Sequence, residues 1–248
     1  IGRTGEEGIR ALTEIVEGVY LHRDTTYVYD IKLAERSRLK QRLQRGGVQV
    51  RVHAIHGLEC ANVSDEKFSL VIATLYRSLK YPMPAVRIAA VKVLGFFYGR
   101  SQSTMPYMLR LPDHLFGLLE DPHEAVRKQT AAVLASMNPK GEFFLVEATL
   151  NADQTTVRDA AAWGLRKVGA RCIMSMIIAL SDKSVRVQRT VGESICSLRF
   201  EDIVEHVQSS DPAIQDSFRM TVLEILEDDN KDSGVKNHLL KVMSAIAS

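Results

Sequence analysis

Four segments of the chain share one order of apolar and polar positions: VRVHAIHGLE from Val50, VRIAAVKVLG from Val86, VRKQTAAVLA from Val126 and VRDAAAWGLR from Val157. Each places apolar or small residues at the anchor and then four, seven or eight, and eleven positions on. Val126, Thr130, Val133, Leu134 and Met137 are an example. That spacing paints one face of a helix. Weaker copies follow. One begins VRVQRTVGESI at Val185, although counting five residues on from Asp182, as from Asp121 to Val126, puts the anchor at Val187; the pattern leaves both registers open. Ile214 with Phe218 and Val222, and Val235 in VKNHLLKVMSAI, repeat the apolar order.

Between the copies lie second amphipathic segments at 65–79, 115–120, 141–150, 170–180 and 200–208, so each repeat is expected to be a pair of helices. The first intervals between anchors, 36, 40, 31 and 28 residues, are those of a solenoid of helical pairs. Asp121, Asp153, Asp182 and Asp211 precede anchors, and two of them are followed by Pro, the Ncap-then-N1 signature of a helix start. No stretch alternates apolar and polar residues with β-branched enrichment over a strand's length, so the fold is expected to be all-α.

Asp121–Met137 and its relatives resemble HEAT repeats, especially the HEAT-like units of the phycobilin lyases, whose second helix reads D-x-x-V-R-x-x-A-x-x-A-L. The resemblance covers roughly residues 47–227. It implies a right-handed α-solenoid of about six helical hairpins with helical caps. It also implies that the Arg after each anchor (Arg51, Arg87, Arg127, Arg158 and Arg186) bonds to the Asp of an adjacent turn. With Asp121, Asp153 and Asp182 these residues would form a structural ladder along the stack. The expected division is an N-terminal helical cap at 1–46, the repeat array at 47–231 and a C-terminal capping helix at 232–248.

The N-terminal segment departs from the repeat. In 31–45, Lys32, Arg36, Arg38, Lys40, Arg42 and Arg45 face a single acid, Glu35. A helix here either contacts phosphates or an acidic partner, or is a solvated cap docked through Leu33, Leu39 and Leu43. The whole chain is close to neutral, with 32 Lys and Arg against 30 Asp and Glu in 248 residues, so no global field marks a polyanion binder. Three scattered cysteines, Cys60, Cys172 and Cys196, form no CxxC pair and suggest neither a disulfide framework nor a zinc site. An intracellular, reducing compartment is expected, cytoplasmic or organellar. The longest apolar run, 173–180, is too short to span a bilayer, and no charged-then-apolar signal segment opens the sequence.

Chemistry is sparse. His123-Glu124 resembles one element of the di-iron HEAT-repeat enzyme deoxyhypusine hydroxylase, but that family carries several His-Glu pairs after the anchor. Here a single pair precedes it. His53 and His56 share a helix flank without a third ligand. GxSxG, HExxH and a glycine-rich phosphate loop are missing from the sequence. The reading is therefore of a chain that is not an enzyme and takes no metal or cofactor.

A rotation of 100° per residue turns positions 2, 6 and 9 after the anchor away from the core. They read Val52, Ile88, Lys128 and Asp159; His56, Lys92, Ala132 and Trp163; Glu59, Gly95, Ala135 and Arg166. In HEAT proteins the second helices line the concave wall, so the resemblance puts this stripe in a groove. Trp163, the single tryptophan, with Arg166 and Lys167 beside it, is either a partner anchor or a filler against a neighbouring second helix. Partner contacts are expected at Trp163, Arg166, Lys167, Lys92, Lys128 and His56. The expected function is a non-catalytic scaffold or adaptor, a subunit of a larger assembly, that grips a protein segment. The alternatives are a bilin-transferring subunit like the phycobilin lyases, and nucleic-acid or acidic-partner binding through Arg36, Arg38, Lys40, Arg42 and Arg45.

Overall fold

A computed structural model describes residues 6–17, 47–59, 65–100 and 106–247, and among them every regular element is helical. The basic segment at 31–45 and Cys60 lie outside the described residues. The chain divides into two compact units, Ile1–His114 and Leu115–Ser248.

The first unit holds α1 (Glu6–Glu17), α2 (residues 47–59), α3 (Asp65–Ser78), α4 (Pro84–Arg100) and the short α5 (Pro106–Leu109); α6 (Leu111–Gly117) crosses the boundary. The apolar stripe of α1, Ile9, Leu12 and Val16, is buried, and the helix packs on α3. There the Glu17 carboxylate accepts hydrogen bonds from the Thr74 hydroxyl at 2.9 Å and from the Arg77 guanidinium. A Cβ on Gly57 would meet Leu12 Cδ2 at 3.1 Å, so α2 lies close against α1. In the hairpin of α3 and α4, Phe68 meets Phe97 edge to face with centroids 5.4 Å apart. Proline at the first position starts α4 without wasting a donor. Val86, Ala89, Ala90, Val91, Val93, Leu94 and Phe97 of α4 are all buried, so this helix is enclosed on more than one side.

The second unit contains α7 (Glu124–Leu134), α8 (Lys140–Asn151), α9 (Thr155–Val168), α10 (Ile173–Ala179), α11 (Val185–Cys196), α12 (Phe200–Gln208), α13 (Pro212–Glu227) and α14 (Ser233–Ala247). Hairpin partners α8 and α9, then α10 and α11, pack together. Across layers, α9 packs on both α7 and α11, and α10 on α8. First helices thus stack on first helices and second on second, the arrangement in which a pair that cannot bury its own stripe closes a core with its neighbours. The stack is tight where α9 crosses α7. A Cβ on Gly164 would sit 2.9 Å from Ala131 Cβ and 3.0 Å from Leu145 Cδ2.

Val86, Val126 and Val157 occupy equivalent places. Each is the third residue of its helix and each is buried. The same rule settles the fifth copy, because α11 begins at Val185, and its third residue, Val187, is 0% exposed while Val185 is 68% exposed. Val187 is the anchor. Two other copies differ from the pattern. Val50 is the fourth residue of α2 and 48% exposed, with burial falling on Ala54, Ile55 and Leu58. Ile214 is the third residue of α13 yet 46% exposed, with burial on Phe218, Val222 and Ile225. Packing explains Ile214: α13 lies on α10, a first helix, and α14 lies on α11, a second helix. The last second-helix place therefore goes to α14, whose Val235, Leu239 and Val242 are buried. The short α12 packs on α14 and on the turn Ala170–Cys172.

Candidate partner-binding face

The arginine after each anchor brackets its own hairpin turn. The Arg87 Nη1 donates to the Tyr81 and Pro82 carbonyls at 2.7 and 2.8 Å. Arg127 makes the same pair of bonds to Asp121 and Pro122 at 2.8 and 3.1 Å, and Arg158 to Ala152 and Asp153 at 2.8 and 2.9 Å. All three side chains are buried. Carbonyls at the end of a first helix have no intrahelical partner, and a charged planar fork reaching back six and five residues satisfies two of them at once. Gln188, which follows Val187, takes this place in the next copy by donating to the Asp182 carbonyl at 2.6 Å.

Arg158 also reaches a neighbouring turn, with bonds to the Asp182 carboxylate at 2.6 and 3.2 Å. Burial works to raise the Asp182 carboxyl. The Arg158 hydrogen bond, the Ser184 N–H at 2.7 Å and the charges of Arg158 and Lys183 outweigh it and hold the group below the usual aspartate range. Asp121 is buried and accepts from the His123 N–H at 2.8 Å. Asp153 is exposed, and its contribution to the bracket is its carbonyl.

The remaining expected ladder members sit elsewhere. Arg51 lies over the Tyr81 ring, 4.5 Å from its centroid. Arg186 precedes the true anchor, so it points out of the turn and lies half exposed, pairing with Asp159 at 2.7 Å and Glu124 at 3.4 Å. Asp159 is correspondingly not an open groove residue. It is 4% exposed, and its other oxygen accepts from Thr190 at 2.6 Å. Glu124 also pairs with Lys128 at 2.7 Å. The Lys128 hydrogen bond, with its charge and the Arg186 contact, lowers the Glu124 carboxyl. The N-terminal turns of three successive second helices, α7, α9 and α11, are laced together by this network. Sequence reading missed it because Arg186 and Asp159 are 27 residues apart and meet only once the layers stack.

Beyond that network the second-helix row is open. With Val126, Val157, Val187 and Val235 as anchors, the outward positions include Lys128, Trp163, Arg166, Arg189, Glu193 and Lys241. Trp163 is partly exposed, with Lys167 Nζ 5.7 Å from its ring centroid, and Arg166 and Lys167 are exposed. Lys92 and His56 belong to the first unit, where both are exposed and His56 lies 3.6 Å from Glu59. Among the described residues no group of three His, Cys, Asp or Glu side chains is placed to hold a metal. His53 Nδ1 lies 2.7 Å from the Gln49 carbonyl, and His123 is the N-cap residue before α7. Burial pushes the Cys172 thiol up to about 12, with the Glu142 charge adding to it, so this cysteine is an inert core residue. Among the described residues no helix is long and apolar enough to cross a membrane.

No protein-family model and no curated protein sequence matches the chain. Solved structures similar to it include an engineered protein at 14% identity and TM-score 0.43, covering 96% of both chains. A mutant of Kap121p aligns at 15% identity and TM-score 0.48, covering 96% of this chain and 24% of its own. A computationally designed armadillo repeat protein for modular peptide recognition aligns at 13% identity and TM-score 0.42, covering 94% and 99%. At these identities and TM-scores the similarity carries no inference about binding. The stacked layers and equivalent anchors described above identify the chain as an all-α helical repeat protein.

Proposed function

We propose that the chain is a non-catalytic scaffold that binds a protein segment along the outward face of the second helices of its second unit. One observation carries this reading. Trp163 stands partly exposed in the middle of that row, covered by Lys167 and followed by the exposed Arg166, while the helix beneath it is held from both sides by α7 and α11. A rigid aromatic beside arginine, on an ordered wall, is the composition that dominates interface energetics. Its ordering cost is already met by folding, so little is lost on binding. The second-unit contacts assigned to a partner are Trp163, Arg166, Lys167 and Lys128; Lys92 and His56 are assigned to the first unit's own second helices. The bilin-transfer reading rests on repeat type, and the phosphate-binding reading on residues 31–45; neither gains an observation from the described residues.

The test is affinity purification with amine crosslinking from native extract. Crosslinks to one stable partner through Lys128 and Lys167 are expected. Partner crosslinks confined to lysines of the first-helix side, such as Lys140, would overturn the assignment of the face.

A further inference from the structure

We infer that the segment held by this face is acidic: an extended protein stretch rich in Asp and Glu with at least one apolar side chain to meet Trp163. The inference rests on the proposed binding face and adds the chemistry of what it takes.

Charge is sorted by row in the second unit. On the open part of the second-helix row stand Arg166, Lys167, Arg189 and Lys241, all exposed, against one exposed carboxylate, Glu193. None of the four cations is within ion-pair distance of a described carboxylate, whereas the acids nearest the row are already consumed. Glu124 is paired by Lys128 and Arg186, and Asp159 is buried under Arg186 and Thr190. On the helices of the other row and the adjoining α12, exposed acids outnumber exposed cations: Glu147 on α8 stands with Lys140, but Glu201 and Glu205 on α12 and Glu224 and Glu227 on α13 tip the balance. A near-neutral chain therefore presents a locally positive face. Such a face raises the encounter rate of a negative segment and turns away a positive one.

A protein segment fits better than a nucleic acid. Glu193 stands within the row and would repel a continuous phosphate backbone, while the partly exposed indole of Trp163 offers apolar area that a Leu or Phe side chain would cover. Carboxylates spaced along a peptide can pair with the cations and pass over Glu193.

Trp163 is the only tryptophan, so its fluorescence in the full chain reports directly on the face. The probes are a peptide of about 15 residues of Glu, Asp and Leu, its counterpart with Lys for each acid, and a single-stranded oligonucleotide of similar extended length. The acidic peptide is expected to shift Trp163 emission saturably. Its apparent Kd should rise several-fold between low and physiological salt, and at least about tenfold in the Arg166→Glu/Lys167→Glu variant. Circular dichroism identical to the parent shows that the variant folds; Arg189→Glu, on a different helix, is the second variant and should weaken binding in the same direction. Tighter binding of the lysine peptide or the oligonucleotide, or salt-independent binding of the acidic peptide, would overturn the inference. So would silence from every probe. Crosslinks at Lys128 and Lys167 to a neutral or basic partner segment would refute the acidic ligand while leaving the binding face standing; crosslinks elsewhere would remove both.

Discussion

Arg158 and Asp182 form a closed ion pair 24 residues apart, with Nε 2.6 Å from Oδ2 and only 3% and 9% of the two side chains exposed. The same guanidinium holds the turn of its own hairpin through the Ala152 and Asp153 carbonyls. One side chain thus ties a helix pair internally and fastens it to the following layer.

Arg158→Ala strands a largely buried carboxylate and two turn carbonyls, and is expected to lower unfolding free energy by about 3 kcal/mol or more. Asp182→Asn keeps size and the backbone contact at Ser184 but loses the charge pair, and should cost less than Arg158→Ala. Urea unfolding of the two variants and the double mutant gives the coupling, expected to be clearly non-additive.

The pair also sets an acid limit. Because the folded Asp182 carboxyl lies below its unfolded value, its contribution is complete above the unfolded aspartate pKa, about 3.9. It is lost as pH falls through the depressed folded value. Stability measured from pH 6 downwards should fall less steeply in Asp182→Asn than in the parent, with the two curves parallel above about pH 5.

Val187→Ala removes two methyl groups from a closed core position and should cost about 1 to 3 kcal/mol, while Val185→Ala, two residues away, should stay within about 0.5 kcal/mol. Equal losses in thermal unfolding would contradict the register.

Gly164 and Gly192 test the helix crossings. A methyl on Gly164 meets Ala131 Cβ, Leu145 Cδ2 and the Ala131 carbonyl, all within 3.2 Å, and the Ala131 contacts cannot rotate away. Gly164→Ala should therefore cost about 1 to 3 kcal/mol by overpacking. At Gly192 the single close contact is Val235 Cγ2 at 2.9 Å, with no backbone atom of another helix within 4 Å, so Gly192→Ala should be milder in the same denaturant assay.

Cys172, buried and with its thiol pushed up to about 12, should resist a thiol reagent at pH 8 until the chain unfolds. Cys196 is exposed, so mass mapping should find it labelled in the native protein. Early labelling of Cys172 would show local opening of the first-helix row.

Much of this molecule is written locally. The recurrence of Val-Arg, with apolar residues at helical spacing, was enough to establish helical pairs and the equivalence of Val86, Val126 and Val157. Each of these depends on contacts within about a turn of helix or one hairpin. The arginine bracket is of the same kind, reaching back five and six residues, although the resemblance directed attention to aspartate side chains and the carbonyls proved to be the common partners.

What stacking alone decided lies across layers. Val187 could be chosen over Val185 only by seeing which one the neighbouring helices enclose. Ile214 looked like an anchor by spacing, but α13 packs in the first-helix row and α14 takes the second-helix place, because a helix's row is set by which surface remains uncovered beneath it. Arg186 and Asp159 carry no local signal that they belong together, yet their pairing decides which charges on the second-helix row are spent and which face outward. An amphipathic period specifies that a helix will bury one face; it does not specify against which neighbour, and so the chemistry of the exposed second-helix face emerges only in the assembled stack.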